Sequence, residues 1–358
     1  MTTQSVPPEF LPDATLRSTP ETVSWGYIAA DLPPVLRIQS GQTIRIDTVS
    51  HQGINTKQDP VTYFGAAGIP REQVLQDAQD IFSKLRRPEG AGAHVITGPV
   101  YVEGAQPGDM LEVRVLEVEF RVPYGVNSTG PGWGVLPDLL AQPALKTIKL
   151  DLARGVALFS DGVEIPLAPF MGIVAVAPPP ALVRVSTKPP GAFGGNLDFR
   201  HLTAGATLYL PVFNAGALFY IGDGHAMQGD GEVDGTAIEI SLTPTLQLIV
   251  HPGAGKAMQW PRAEDATHYY AMGMDTDLDA ALKNAVQETV GFLQQKAGLS
   301  VADAYALASL SADFRVGEAV NNVKMVYGVI PKKLFKQRIE NGQWRVDKGA
   351  RCALRSND

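Results

Sequence analysis

Cysteine is almost missing from this chain of 358 residues; Cys352, near the C-terminal end, is the only one. A single thiol excludes an intrachain disulfide and a cysteine-based zinc site. Its position near a chain end also argues against a cysteine nucleophile. Charge is sparse, with 19% charged residues and a net charge of −7. No basic block points to nucleic acid, and no polybasic or amphipathic stretch points to a membrane surface. No apolar run approaches the length of a membrane span. The opening "MTTQSVPPEFLPDATLRSTPETV" lacks the basic and apolar regions of a signal peptide. These absences predict a cytoplasmic protein. Neither a G-x-S-x-G elbow nor a phosphate-binding glycine motif is found, so serine nucleophiles and nucleotides lack support.

Glycine (36) and proline (27) are abundant, and helical periodicity is scarce until late in the chain. The expected fold is mainly β with a C-terminal helical hairpin, an α+β chain of several antiparallel sheets. Leu36, Ile38, Ile44 and Ile46 alternate about Ser40-Gly41 and predict a hairpin. In "LEVRVLEVEF" the alternation slips at Val115-Leu116, which predicts a β-bulge. Asp161-Gly162 marks another hairpin. "DTDLDAALKNAVQETVGFLQQKAGLS" predicts a helix capped at Asp275 or Thr276. Its buried face would hold Leu278, Leu282, Ala285, Val286, Thr289 and Leu293, and Gly298 would end it. Ser300 to Asp303 is a capping box for a second helix. Residues 1–22 read as an arm, 23–340 as one unit of one or two tight lobes, and 341–358 as a tail.

Chemistry concentrates in three stretches. "IGDGHAMQGDGEVDGTAIE", Ile221 to Glu239, holds Asp223, His225, Gln228, Asp230, Glu232 and Asp234 among five glycines. An EF-hand starting at Asp230 fails, because Ser241 stands where the bidentate Glu belongs. An H-E-x-x-H zinc site fails because the glycines forbid a helix. A Gly-rich loop aiming carboxylates and an imidazole at a divalent ion fits the stretch, and so does a solvated acidic turn. "FGGNLDFRHL" offers Asn196, as donor and acceptor for an amide, and Asp198, as ligand or base; an Asx-turn is its plain alternative. "HVITGPVYVEGAQPGDML" offers His94 and Glu103. Glu103 lies between apolar runs, a setting that suits acid–base work.

Taken together and in order, these strings resemble the acetamidase/formamidase family. "TGPVYVEGAQPGDMLEV", "PYGVNSTGPGWGVLP", "GGNLDFRHLTAGATLYLPV", "GALFYIGDGHAMQGDGEVDGTAIE" and "RVGEAVNNVKMVYGVIPKKLF" carry the likeness over about residues 23–335. The resemblance puts cysteine at the place of Asp234, a departure that argues against Asp234 as a site residue. The resemblance implies hydrolysis of short aliphatic amides to a carboxylate and ammonia. It also implies a mostly β fold, a bound divalent metal (zinc or calcium) and a homodimer or higher homo-oligomer.

Amide hydrolysis needs a strong nucleophile, a polarised carbonyl and a proton for the departing amine. On that basis Asp198, His225 and Glu232 are expected to hold the metal, with Asp223 and Asp230 in its shell or holding the loop. Glu103 is the expected acid–base group. Asn196 and Gln228 would orient the amide, with His94 as a supporting residue. Two alternatives stand beside this reading: a carboxylate-based amidase with a purely structural metal, and a calcium-braced β protein that binds without catalysis.

Overall fold

A computed structural model describes residues 11–55 and 57–335, with the backbone of the paired strands Ile339–Glu340 and Gln343–Trp344. The fold is mainly β. A nine-stranded and an eleven-stranded sheet enclose one large apolar core, and two helices near the C-terminus cover part of the nine-stranded sheet. Nearly all strand pairs are antiparallel; Ala14–Leu16 with Thr43–Ile46, and Leu36–Gln39 with Val95–Glu103, are parallel. The expected tail lies outside the described residues apart from the second of those terminal strands.

The slip at Val115-Leu116 is a bulge. Opposite it, Thr245 pairs with Glu117 but Leu246 pairs with Val115, so Leu116 is the extra residue. Val156–Ser160 and Val163–Pro166 form the expected hairpin across Asp161-Gly162. The hairpin at Ser40-Gly41 does not form. Leu36–Gln39 joins Val95–Glu103 in the eleven-stranded sheet, whereas Thr43–Ile46 joins Leu242–His251 in the other. Both strands alternate as expected, with Ile38, Ile44 and Ile46 buried, but each completes a different sheet. The string "PYGVNSTGPGWGVLP" opens with the strand Tyr124–Thr129.

The helices are Leu278–Ala297 and Val301–Ser311. Asp277, not Asp275 or Thr276, caps the first by accepting from the Ala280 N–H at 2.9 Å, and Gly298 ends it in the left-handed conformation. Its buried positions are Ala281, Ala285, Glu288, Thr289 and Leu293, while Leu278 and Leu282 are exposed. Small residues won the inner face because the helix seats on glycines of the sheet. A Cβ on Gly273 would fall 2.0 Å from the Ala285 nitrogen, and one on Gly328 would fall 2.4 Å from Thr289 Oγ1.

The eleven-stranded sheet is what positions chemistry. Phe219–His225 lies between Phe170–Ala175 and Val95–Glu103, and its C-terminal end also meets Glu239–Ile240. Gly194–Asn196 pairs with the far edge of Phe170–Ala175. The stretch expected to be a loop from Ile221 therefore starts as a buried strand, and only after His225 does it leave the sheet.

Candidate active site

Asp223 and His225 are two apart on one strand, so their side chains share a face. His225 lies opposite Phe170 on one side and Glu239 on the other. Phe170 meets the imidazole edge-on, with ring centroids 5.1 Å apart. The ring nitrogens are thereby aimed at carboxylates. His225 Nε2 lies 3.3 Å from Asp223 Oδ2 and 3.4 Å from Glu239 Oε1, and Nδ1 lies 3.9 Å from Asp198 Oδ1.

The cluster continues in both directions from His225. Toward one end, Asp223 Oδ1 is 3.6 Å from His51 Nδ1 and Oδ2 is 3.8 Å from His94 Nε2. The two imidazoles stand perpendicular, 5.0 Å apart. Toward the other end are Glu232, which shares a set of converging donor atoms with Asp198 and His225, and Glu318. Glu318 arrives through a bridge between Gly231 and Glu318, and its Oε1 accepts the Val320 and Asn321 N–H groups. Asn321 Nδ2 donates to Asp198 Oδ2 at 2.7 Å, and Gln228 Nε2 donates to the Asp198 carbonyl at 2.8 Å.

Three overlapping sets have donor atoms within 4.8 Å of one another: His51, His94 and Asp223; Asp223, His225 and Glu239; and Asp198, His225 and Glu232. Backbone strain coincides with them. Asp198, Asp223 and Glu232 all hold φ between +44° and +57°, a region that non-glycine residues rarely occupy. Such residues cost on the order of 1–3 kcal/mol each and persist where the surroundings fix them.

Burial without partners completes the picture. Twelve buried side-chain polar atoms among the described residues lack a hydrogen bond. Nine of them belong to His51, Asn196, Asp198, Asp223, His225, Gln228, Glu239 and Glu318. Orphaned buried polar atoms are rare and costly, so nine gathered around one cluster mark a place built for something else to bind.

Charge in the cluster is divided. Burial raises the Asp198 carboxyl well above its ordinary value, and Glu318 beside it adds to the rise. Glu232 is raised by burial and by Asp198. Burial also lifts Glu318, against the pull of the Val320 N–H. Asp223 goes the other way: burial pushes it up, but the imidazoles of His94 and His225 outweigh burial and hold it low. Burial opposes the His225 imidazolium, yet Glu239 and Asp223 raise it well above the usual value. Burial lowers His94 to about 4, which leaves a neutral imidazole able to ligate.

The sequence expectations divide accordingly. Asp198, Asp223, His225, Glu232 and His94 come together. Asn196 and Gln228 are buried beside Asp198, each with a free amide oxygen. Asp230 belongs to none of the converging sets; both its oxygens accept from Tyr327 Oη at 2.9 Å. Asp234 is structural, taking N–H groups from Asn127 and Thr236. Glu103 is a correction. It ends the strand Val95–Glu103, a third exposed and 2.8 Å from Arg37 Nε, whereas the cluster sits at the His94 end. At full extension, nine steps of about 3.3 Å would carry its Cα up to roughly 30 Å from that of His94. The apolar runs around it pack into the sheet, but its own side chain does not.

His51, Glu239 and Glu318 were missed as site residues. Glu318 and Glu239 do lie within the motif strings quoted above, which was the available signal. His51 opens a polar, mixed stretch and carries none.

The acetamidase/formamidase family profile matches residues 72–188 and 181–337, well over half of the chain. The chain belongs to the acetamidase/formamidase family. It is 30% identical to an acetamidase from Bacillus halodurans, whose crystal structure superposes with a TM-score of 0.73 over 89% of this chain and 98% of that one. An acetamidase structure from Yersinia enterocolitica gives a TM-score of 0.73 at 27% identity, covering 89% and 92%. Among curated sequences, the acetamidase of Mycolicibacterium smegmatis is 24% identical over 43% of this chain. The formamidase of Methylophilus methylotrophus is 25% identical over 57%. The chain spans only about half the length of these curated relatives, 52% and 58% respectively. Among the described residues, no helix is long and apolar enough to cross a membrane.

Proposed function

We propose that this chain hydrolyses a short linear amide, of the formamide or acetamide type, with the help of a divalent metal held in the His–carboxylate cluster. The observation that carries the reading is the convergence of three ligand sets on nine orphaned polar atoms. The donors suit the ions that the family resemblance implies. The end with His51, His94 and Asp223 offers the mixed nitrogen and oxygen set favoured by zinc. The end with Asp198, Glu232 and Glu318 is rich in oxygen, as calcium prefers. The set Asp223, His225 and Glu239 bridges the two, sharing Asp223 with the first end and His225 with the set first read from the sequence, Asp198, His225 and Glu232. The same resemblance supports a homo-oligomer, and a cytoplasmic location belongs to the proposal as read from the sequence.

A bound divalent ion would acidify water and polarise the amide carbonyl. The chain's own residues supply the rest. A primary amide presents two N–H donors, and the free oxygens of Asn196 and Gln228 are acceptors for them. Glu318 takes the acid–base duty first given to Glu103. Its Oε1 is pinned by two backbone N–H groups, and Oε2 is left without a partner. It receives a proton as water oxygen bonds to the carbonyl carbon, and returns it to the nitrogen as the C–N bond breaks. The products are a carboxylate and ammonia.

The deciding experiment is chelator treatment followed by an assay of ammonia release from formamide and acetamide. Lost activity that returns with zinc or calcium supports the proposal. Full activity without metal, with a lowered Tm, would favour a carboxylate-based amidase that uses metal as a brace. No ammonia from any amide, with the metal present, would remove the amidase reading.

A further inference from the structure

Gly172 carries none of the chemistry, yet it is the point on which the cluster converges. It lies in the middle of Phe170–Ala175, opposite Asp223 in the pairing that sets Met171 against Gly224 and Ile173 against Gly222. Its carbonyl accepts the Asp198 N–H at 3.1 Å, so it also fixes the start of the strained Asp198 turn. A Cβ built on Gly172 would fall 2.5 Å from Asp198 Oδ1, 2.7 Å from Asp223 Oδ2 and 2.8 Å from His225 Cε1. Real Cβ contacts below 3.0 Å essentially do not occur.

Two neighbouring glycines make the contrast. A Cβ on Gly222 would meet the Val95 carbonyl and Ile96, and one on Gly224 would meet the Ile240 carbonyl and Leu242. Those glycines are required by strand and core packing. At Gly172 the three nearest atoms are instead the tips of three site side chains. Its φ is not in the left-handed region, so its backbone would accept alanine without strain. Space alone demands glycine there.

We propose that Gly172 is a positioning residue for the cation site, its missing side chain leaving the volume in which Asp198, Asp223 and His225 present their donor atoms. This rests on reading the cluster as a cation site. A methyl group at Gly172 pushes two carboxylates and an imidazole out of register while leaving the sheet hydrogen bonds intact.

The test is Gly172→Ala, alone and combined with Asp198→Ala. Zinc and calcium are titrated calorimetrically into chelator-treated wild type and into Gly172→Ala, and Tm is recorded for all four chains. Gly172→Ala should keep the wild-type circular dichroism spectrum and bind at least about tenfold more weakly, as when a group orienting a ligand is lost. Its Tm cost should shrink in the Asp198→Ala background, where one of the three collisions is gone. Should Gly172→Ala fail to fold, the double variant should recover folded protein that the single variant lacks. Binding as tight as wild type, an equal Tm cost in both backgrounds, or a double variant no better folded than the single one would overturn the proposal. A wild-type chain that binds neither ion sinks the cation reading itself, and the Tm comparison still decides whether Gly172 makes room for Asp198.

Discussion

The strand Val95–Glu103 has a titratable residue at each end, and the two differ in almost every physical respect. His94, just before it, is nearly buried, 3.8 Å from Asp223, with its Nδ1 3.2 Å from Thr187 Oγ1. Glu103, its last residue, is a third exposed and paired with an arginine on the surface. In sequence, Glu103 looked the better catalyst, because it sits between apolar runs. The antiparallel pairing with Phe219–His225 reverses that order. Gly222 pairs with Ile96 and Phe219 with Val100, so His225 continues toward the His94 end and away from Glu103. Position within a motif says that a residue matters to the fold or to the site. Strand direction says which.

The largest effect expected from this contrast is at the buried end. His225→Ala removes the residue common to two ligand sets and leaves Asp223 and Glu239 facing each other in the core. Bound metal should vanish on elemental analysis. Amide turnover should fall by more than the roughly 10–100-fold that loss of an outer partner costs. A variant that retained metal and turnover would show that the cluster is not the site.

Next is Glu318→Gln. The amide can still accept the Val320 and Asn321 N–H groups, so the fold and substrate binding should hold. Proton transfer should not. We expect kcat for acetamide to drop about 10²–10⁴-fold, with KM little changed. A change confined to KM would reassign Glu318 to binding.

The glycine-flanked cluster residues Asp198, Asp223, His225 and Glu232 were legible because they sit in the strings that carry the family resemblance; spacing alone left a solvated acidic turn open beside them. Strand alternation, the bulge at Leu116 and the two helices were legible for a local reason: each is written within a dozen residues. What sequence hid was pairing at long range. Glu239 reaches His225 through sheet register, Glu318 reaches Glu232 through the bridge at Gly231, and His51 reaches Asp223 from 172 positions away. The misread turn at Ser40-Gly41 is the same failure. Its alternation was correct, but which sheet each half joins is decided by strands far along the chain.

A pH experiment sharpens the comparison without mutation. In the metal-free chain, Asp198, Glu232, Glu318 and His225 all hold protons above their ordinary values. Groups of that kind stabilise the fold while protonated and lose that contribution as pH rises through the raised values. Asp223 and His94 are depressed, and their stabilisation is complete above the ordinary histidine value of 6.5. Above that pH the depressed groups add no further slope, so the Tm of metal-free protein should fall as pH rises through the raised values. Zinc should abolish most of the slope, because the cation takes the place of the protons. A metal-free Tm that climbs over this range would contradict the assigned directions.

The smallest effect belongs to the exposed end. Glu103→Gln keeps the shape of the side chain and removes one charge from a pair with Arg37, whose guanidinium also lies 3.8 Å from the centroid of the Tyr101 ring. Solvent screens the pair, and the stacking on Tyr101 holds Arg37 in place without it. Turnover and Tm should both stay close to wild type, with kcat/KM within about twofold, as for surface changes in general. A loss of two orders of magnitude would mean that the far end of the strand acts in the reaction after all. Glu103 lies at the end of the strand away from the cluster, so the direct route to such an effect would be a second copy of the chain that brings its own Glu103 to this cluster.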